Sequence, residues 1–324
     1  MPQNPVNNID EYLVNKVFDG HQLWELVTIP DNVPIVLMLG LVVFFLWMSF
    51  RQAKANDRLI ANLEKNPEMA KTHHRNVFPF HKSWDRTVSV WPYLLKREFL
   101  AAMIVTAFLI VWSVYLNAPL EEPANPTLTM NPSKAPWYFL GLQEILVYFD
   151  PWIAGVVLPF LIVGGLCIIP YIDTNPLGNG YYTFKQRKFA ITTFLFGFLV
   201  LWVALVILGT FMRGPGWMFF YPGEPWDHTK VVVEVNRNLN DIFGITGTVP
   251  VAIFGAVVVA GYLAVGGAVF HALFRKTRVF ARMSTIQYAH LVLFFVLMMS
   301  LPIKMFIRLA FNIKYVWITP WFNI

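Results

Sequence analysis

Residues 131–160 read NPSKAPWYFLGLQEILVYFDPWIAGVVLPF, and in them Trp137, Tyr138 and Phe139 stand just ahead of an amide, Gln143, and a carboxylate, Glu144. Aromatic rings and leucines can wall an apolar ligand, while a carboxylate, an amide and a phenol can hydrogen-bond it or move a proton. Polar side chains set among Leu140, Leu142, Ile145, Leu146 and Val147 are costly in apolar surroundings unless a ligand or another subunit uses them.

The other reactive residue types offer less. Cys167 is the single cysteine and sits in an apolar segment, so this chain supplies neither a disulfide framework nor a thiolate metal site, and no CxxCH motif occurs. Of seven histidines, His21, His73, His74, His81 and His228 fall in predicted loops. His271 and His290 fall near one end of the last two apolar runs, where two neutral imidazoles could approach each other and hold a haem axially. More often such residues bond a neighbouring backbone, and no metal ligand is assigned.

The elements that must position these residues are membrane spans. With 56% hydrophobic and 14% charged side chains, the 324-residue chain is far more apolar than a soluble core needs. Runs long enough to cross about 30 Å of hydrocarbon lie near 33–50, 98–117, 152–172, 189–211, 249–273 and 286–310. The first 32 residues lack the basic region and small-residue cleavage site of a signal peptide, so the spans themselves are expected to target the chain. Ten Lys and Arg residues between 51 and 97, KQRK at 185–188 and RKTR at 275–278 with Arg282 put three loops on the cytoplasmic side. The same bias accounts for the net charge of +6, which in a soluble protein would suggest nucleic acid; no nucleic-acid partner is expected. Residues 118–151 and 212–248 then face the outer side. The fold class predicted is an all-α integral membrane protein of about six transmembrane helices, with a short interfacial helix over about 136–148 in the outer loop between the second and third spans. Pro136 suits its first turn and Ser133 is placed to help cap it. Glycines 255, 261, 266 and 267 would let another helix approach closely.

The run EEPANPTLTMNPSKAPWYFLGLQEIL, 121–146, resembles the segment joining two helices in the C-terminal half of cytochrome b, the part found as separate subunit IV in split complexes. Glu122-Pro123-Ala124-Asn125-Pro126 matches that family's E-P-A-[ND]-P element, and Ala135-Pro136-Trp137-Tyr138 stands where its P-E-W-Y quartet would. The likeness extends from about Trp91 to about Phe211.

The resemblance implies part of an outer-face quinol-oxidation site in a cytochrome bc-type oxidoreductase complex of the respiratory chain or of photosynthesis. Quinol oxidation releases two protons and two electrons, and the pocket expected here comprises Pro136, Trp137, Tyr138, Phe139, Leu142 and Gln143. In the family the quartet's glutamate is proposed to carry a proton; Pro136 occupies its place and cannot titrate. Glu144 is the expected substitute, with Tyr138 or Asp150 as other candidates, although eight residues from Pro136 Glu144 lies about 80° around and roughly 12 Å along the helix. The competing reading is a hydrogen bond from Glu144 to a partner subunit.

The implied partners are a haem-bearing N-terminal-half cytochrome b subunit, a Rieske iron–sulfur protein, a c-type cytochrome and membrane lipid. Quinone would occupy a shared site, haem b would sit in the partner rather than on this chain, and the chain alone would be inactive. The inner cell membrane, or an equivalent energy-transducing membrane, is the implied location. Residues 1–90 read as an extension with one extra span, 91–211 as the subunit IV-like part, and 212–324 as an aromatic outer loop with two further spans. The alternative is a structural anchor that keeps the cytochrome b fold without a working quinol site.

Overall fold

The computed structural model describes residues 20–73, 89–116, 123–175, 180–230, 235–277 and 280–324. Glu121, Glu122, His74, His81 and Arg278 lie outside them. Among the described residues six helices are long and apolar enough to cross a membrane, and the chain is an all-α, multi-pass membrane protein. The contacts divide it into two compact units, one of residues 29–126 with 181–187 and another containing residues 127–180 and 188–324.

In chain order, α1 is Gly20–Thr28, α2 Val33–Lys65, α3 Pro67–Thr72 and α4 Val90–Tyr115. In the first unit, α2 is 33 residues long where the apolar run alone predicted about 18. Past Phe50 the sequence RQAKANDRLIANLEK still consists mainly of good helix formers, so the helix continues beyond the hydrocarbon-length stretch. Its polar half meets the segment before the fourth span: Asn56 donates to the Tyr182 carbonyl at 2.9 Å, Asp57 accepts from the Lys185 N–H at 3.3 Å, and the Phe50 and Phe184 rings pack edge to face. His73 hydrogen-bonds the Tyr181 hydroxyl at 3.0 Å.

In the second unit, α5 is Trp137–Ile145, α6 Ile153–Ile172, α7 Phe184–Met212 (its first four residues belong to the other unit), α8 Leu239–Ile242, α9 Thr248–Phe274 and α10 Thr285–Phe311. Ser284 and Gln287 cap α10 reciprocally, and the Gln287 amide also donates to the Tyr171 carbonyl at 2.7 Å, fixing the start of α10 against the end of α6. Close approach explains two of the glycines in α9: a Cβ on Gly266 would come within 2.9 Å of Val296 on α10, and one on Gly255 would collide with Trp317. Ile145, Tyr148, Phe149, Ile153, Ala154, Leu205 and Leu301 form one buried cluster, so the core lies where α5, α6, α7 and α10 meet. A short parallel pairing of β1, Arg237–Asn238, with β2, Ile313–Tyr315, ties the loop between α7 and α9 to the chain after α10.

Candidate functional site: a short aromatic helix clamped by a buried ion pair

The helix α5 buries Leu140, Gly141, Glu144 and Ile145, the i, i+1, i+4, i+5 set that shares one face. It packs on the C-terminal half of α7, a helix that widens into π turns over Phe196–Val203 and Leu208–Met212. Two glycines bring the backbones together: a Cβ on Gly141 would stand 3.4 Å from the Trp202 ring, and one on Gly209 would stand 3.4 Å from the Leu140 carbonyl.

Glu144 has no exposed surface. Its carboxylate accepts two bonds from Arg213, from Nε at 3.0 Å and from a terminal nitrogen at 2.7 Å, and a third from the Tyr148 hydroxyl at 3.3 Å. A bidentate guanidinium–carboxylate pair is a strong, geometrically exacting contact, and breaking one partner leaves the other charge buried and uncompensated. Burial alone would lower the Arg213 pKa, but the hydrogen bonds and charge of Glu144 raise it. The Tyr148 phenol is pushed up to about 12, first by burial and then by the adjacent Glu144 charge.

Arg213 also donates to the Trp217 carbonyl at 3.3 Å and opens a tight reversal in which it pairs with Phe219. Gly216, at φ 67°, supplies the positive-φ turn conformation. A Cβ on Gly214 would come within 2.6 Å of the fully buried Phe220 ring. The reversal is bolted to residues 131–135 by two further contacts. Asn131 accepts from the Gly216 N–H, and the Lys134 ammonium donates to the Thr210 carbonyl at 2.7 Å while lying 4.7 Å from the centre of the Trp226 ring. Burial pulls the Lys134 pKa down to about 8, with the Glu144 charge opposing.

Two details differ from the sequence expectation. The helix starts at Trp137 with Pro136 in extended conformation at the N-cap, and no side chain caps it. The Ser133 contribution is instead its carbonyl, which accepts from the Gln143 amide at 2.9 Å, while Gln143 Oε1 accepts from the Ala135 N–H at 2.7 Å. The side chain of Gln143 therefore ties the incoming loop to the helix. Regular helix ends at Ile145 rather than 148, because Leu146, Val147 and Tyr148 bond three residues back and tighten the last turn.

Outside that buried set, Tyr138 and Phe139 are 50% and 52% exposed. With half-buried Trp137 they form an aromatic ledge, ring centroids 5.7 and 4.8 Å apart along the series. Leu142 turns toward the buried cluster. Thus Trp137, Tyr138 and Phe139 share a surface, whereas Gln143 and Glu144 serve as attachments beneath it. Sequence reading missed Arg213 and Lys134. The signal for Arg213 was available, since a carboxylate among leucines needs a counter-charge and Arg213 is the first cation after the fourth apolar run.

His271 hydrogen-bonds the Tyr288 hydroxyl at 3.1 Å, and His290 bonds the Ile286 carbonyl at 2.8 Å. Among the described residues no group of three or more His, Cys, Asp or Glu side chains could hold a metal ion.

Residues 123–220 match the family described as cytochrome b (C-terminal)/b6/petD. The resemblance to the C-terminal half of cytochrome b is shown over that segment, which contains α5, Glu144 and Arg213. The menaquinol:cytochrome c reductase cytochrome c subunit of Geobacillus thermodenitrificans is 32% identical over 96 residues, 28% of this chain and 38% of the relative. The corresponding protein of Bacillus subtilis (strain 168) is 31% identical over 118 residues, 34% of this chain and 42% of the relative. Cytochrome b of Rickettsia prowazekii is 31% identical over 106 residues, 31% of this chain and 27% of the relative. The chain therefore spans less than half the length of each of these relatives. No solved structure matches it.

Proposed function

We propose that the chain is a membrane subunit of a quinol:cytochrome c oxidoreductase and that α5 borders its outer-face quinol-oxidation site. The observation that carries this reading is the ledge of Trp137, Tyr138 and Phe139: an exposed aromatic surface on a helix whose other face is clamped by Glu144–Arg213, all within the matched segment. A flat quinol ring needs an apolar wall held still, a hydrogen-bonding group at its hydroxyls and a wet exit for protons. The ledge supplies the wall, with Pro136 at its margin. Tyr138 is the group on it able to accept a hydrogen bond from a quinol hydroxyl and pass the proton to water.

Glu144 takes a positioning role in this proposal. Protonating it would strip the buried guanidinium of its counter-charge, so its carboxylate is better suited to holding α5 than to carrying a proton. Oxidation converts quinol to quinone with loss of two protons to the outer side and two electrons to partner subunits. Those partners are a cytochrome b subunit that would hold haem, a Rieske-type iron–sulfur protein and a c-type cytochrome, the last in keeping with the named relatives. The part contributing to this pocket is residues 91–211, with 1–90 and 212–324 as extensions and the cytoplasmic membrane as the setting.

Steady-state oxidation of menaquinol-4 by cytochrome c, measured on the intact assembly, tests the reading. Tyr138→Leu and Phe139→Ala should each lower kcat/KM by about tenfold or more with the assembly intact. Unchanged kcat/KM in both would overturn it. Pro136 in place of the quartet's glutamate favours the second reading, a structural anchor, and a wild-type assembly that binds no quinol would support that instead.

A further inference from the structure

We propose that Lys304, outside the matched segment, is a positioning residue for the quinol site, acting on the end of α5 through Phe149 and the tail 313–324. The inference rests on the quinol-site reading above.

Lys304 lies in α10 and is 4% exposed. A buried ammonium in a membrane helix is costly and is kept where it has a defined partner. The partners here are a backbone carbonyl and two rings: Nζ donates to the Lys314 carbonyl and lies 5.9 Å from the centre of Phe149 and 6.0 Å from that of Tyr315. Phe149 is buried directly after the last turn of α5, in the same cluster as Ile145 and Tyr148. Lys304 thus contacts both the segment that follows α5 and the tail that packs against the same buried cluster.

The tail is built to transmit this contact. Asn312, in left-handed conformation at φ 56°, ends α10, and β2 then pairs with β1. The chain closes on itself, with Trp317 donating to the Ile324 carbonyl at 3.1 Å and Ile324 donating back at 2.8 Å. Trp317 seats on Gly255, while Phe322 and Ile324 pack against the cluster that holds Phe149 and Ile153. Asn323 also donates to Asp150 Oδ2 at 3.4 Å, and the other oxygen of Asp150 caps the Trp152 N–H at the start of α6. The charged or titratable groups facing this region are Asp150, Arg308, Lys314 and Tyr315. Glu144–Arg213 fixes the last turn of α5, and Lys304 with the tail fixes the chain just beyond it, so the end of α5 that leads into α6 is held by both.

The test compares Lys304→Met, Lys304→Arg and Asn323→Ala in the intact assembly with menaquinol-4 as substrate. Lys304→Met should raise KM about fivefold while leaving kcat within about twofold, because a displaced wall weakens binding more than it alters chemistry. Lys304→Arg should recover most of that loss, and Asn323→Ala, which leaves the buried lysine in place, should shift KM in the same direction by a smaller factor. Unchanged KM in Lys304→Met or Asn323→Ala, beside an active wild type, overturns the inference alone. If Lys304→Met fails to assemble, Asn323→Ala decides. A wild-type assembly inactive with menaquinol-4 removes the quinol reading, and the inference falls with it.

Discussion

The two ends of α7 are held by different physics. Near its start, Phe189 sits among Phe270, Phe274, Phe280 and Phe295, with ring centroids 5.1 to 6.5 Å from its own. Just past its other end, Arg213 makes directed, charge-assisted bonds to Glu144, while Lys134 bonds Thr210 in the last turn. An aromatic cluster gains its stability from many weak contacts and repacks when one ring changes shape. A bidentate ion pair fixes one geometry and has no nearby substitute. The contrast fits the proposed role of the charged end: a surface proposed to present rings to a quinol benefits from a fixed backbone, whereas the opposite end needs only cohesion.

The contrast can be broken most severely at Arg213. Arg213→Met should destabilise the folded chain by about 3–5 kcal/mol, since Glu144 is left charged and buried. Denaturant titration of the detergent-solubilised chain, followed by tryptophan fluorescence, would measure it. The double variant Glu144→Met with Arg213→Met should be more stable than the Arg213 single variant, because two apolar side chains need no counter-charge.

Lys134 sharpens the comparison through pH. Its folded-state pKa of about 8 lies below the ordinary 10.5. Between pH 8 and 10 the unfolded chain therefore binds more protons than the folded one, and stability from this group rises with pH. Tyr148, held up to about 12 against an ordinary 10.0, acts in the opposite sense. Between pH 10 and 12 the folded chain keeps a proton that the unfolded chain loses, so stability from this group falls. Lys134→Met should reduce the rise between pH 8 and 10 in the same titration and leave the fall intact.

Smaller effects should follow at single attachments. Gln143→Ala removes two hydrogen bonds to the incoming loop and should cost about 1–2 kcal/mol. Phe270→Leu, at the opposite end, should cost less than about 1.5 kcal/mol through repacking and should show no dependence on salt.

The membrane architecture was legible because hydrocarbon thickness imposes a length on each apolar run; the predicted 152–172 differs from α6 by one residue at its start, and 249–273 from α9 by one residue at each end. The prediction for α2 stopped at Phe50 because hydropathy reports where lipid ends, not where helix ends. At the site, Trp137, Tyr138 and Phe139 were legible as a unit because adjacent residues on a short helix remain adjacent. The Glu144–Arg213 bond was not, since it joins positions 69 apart whose meeting depends on Gly141 and Gly209 letting α5 settle onto α7. The partners of Gln143 were illegible for a related reason: a polar side chain in an apolar helix advertises a need for partners without naming them, and the loop eight to ten residues before it supplies two.

The central claim is that the ledge on α5 borders the chamber where quinol is oxidised. Photolabelling the intact assembly with an azido-naphthoquinone, then mapping the adduct by peptide mass spectrometry, tests it most directly. The account predicts labelling within residues 137–142 that excess menaquinol-4 suppresses. Labelling confined to other segments or other subunits, with 131–146 recovered unmodified, would contradict it.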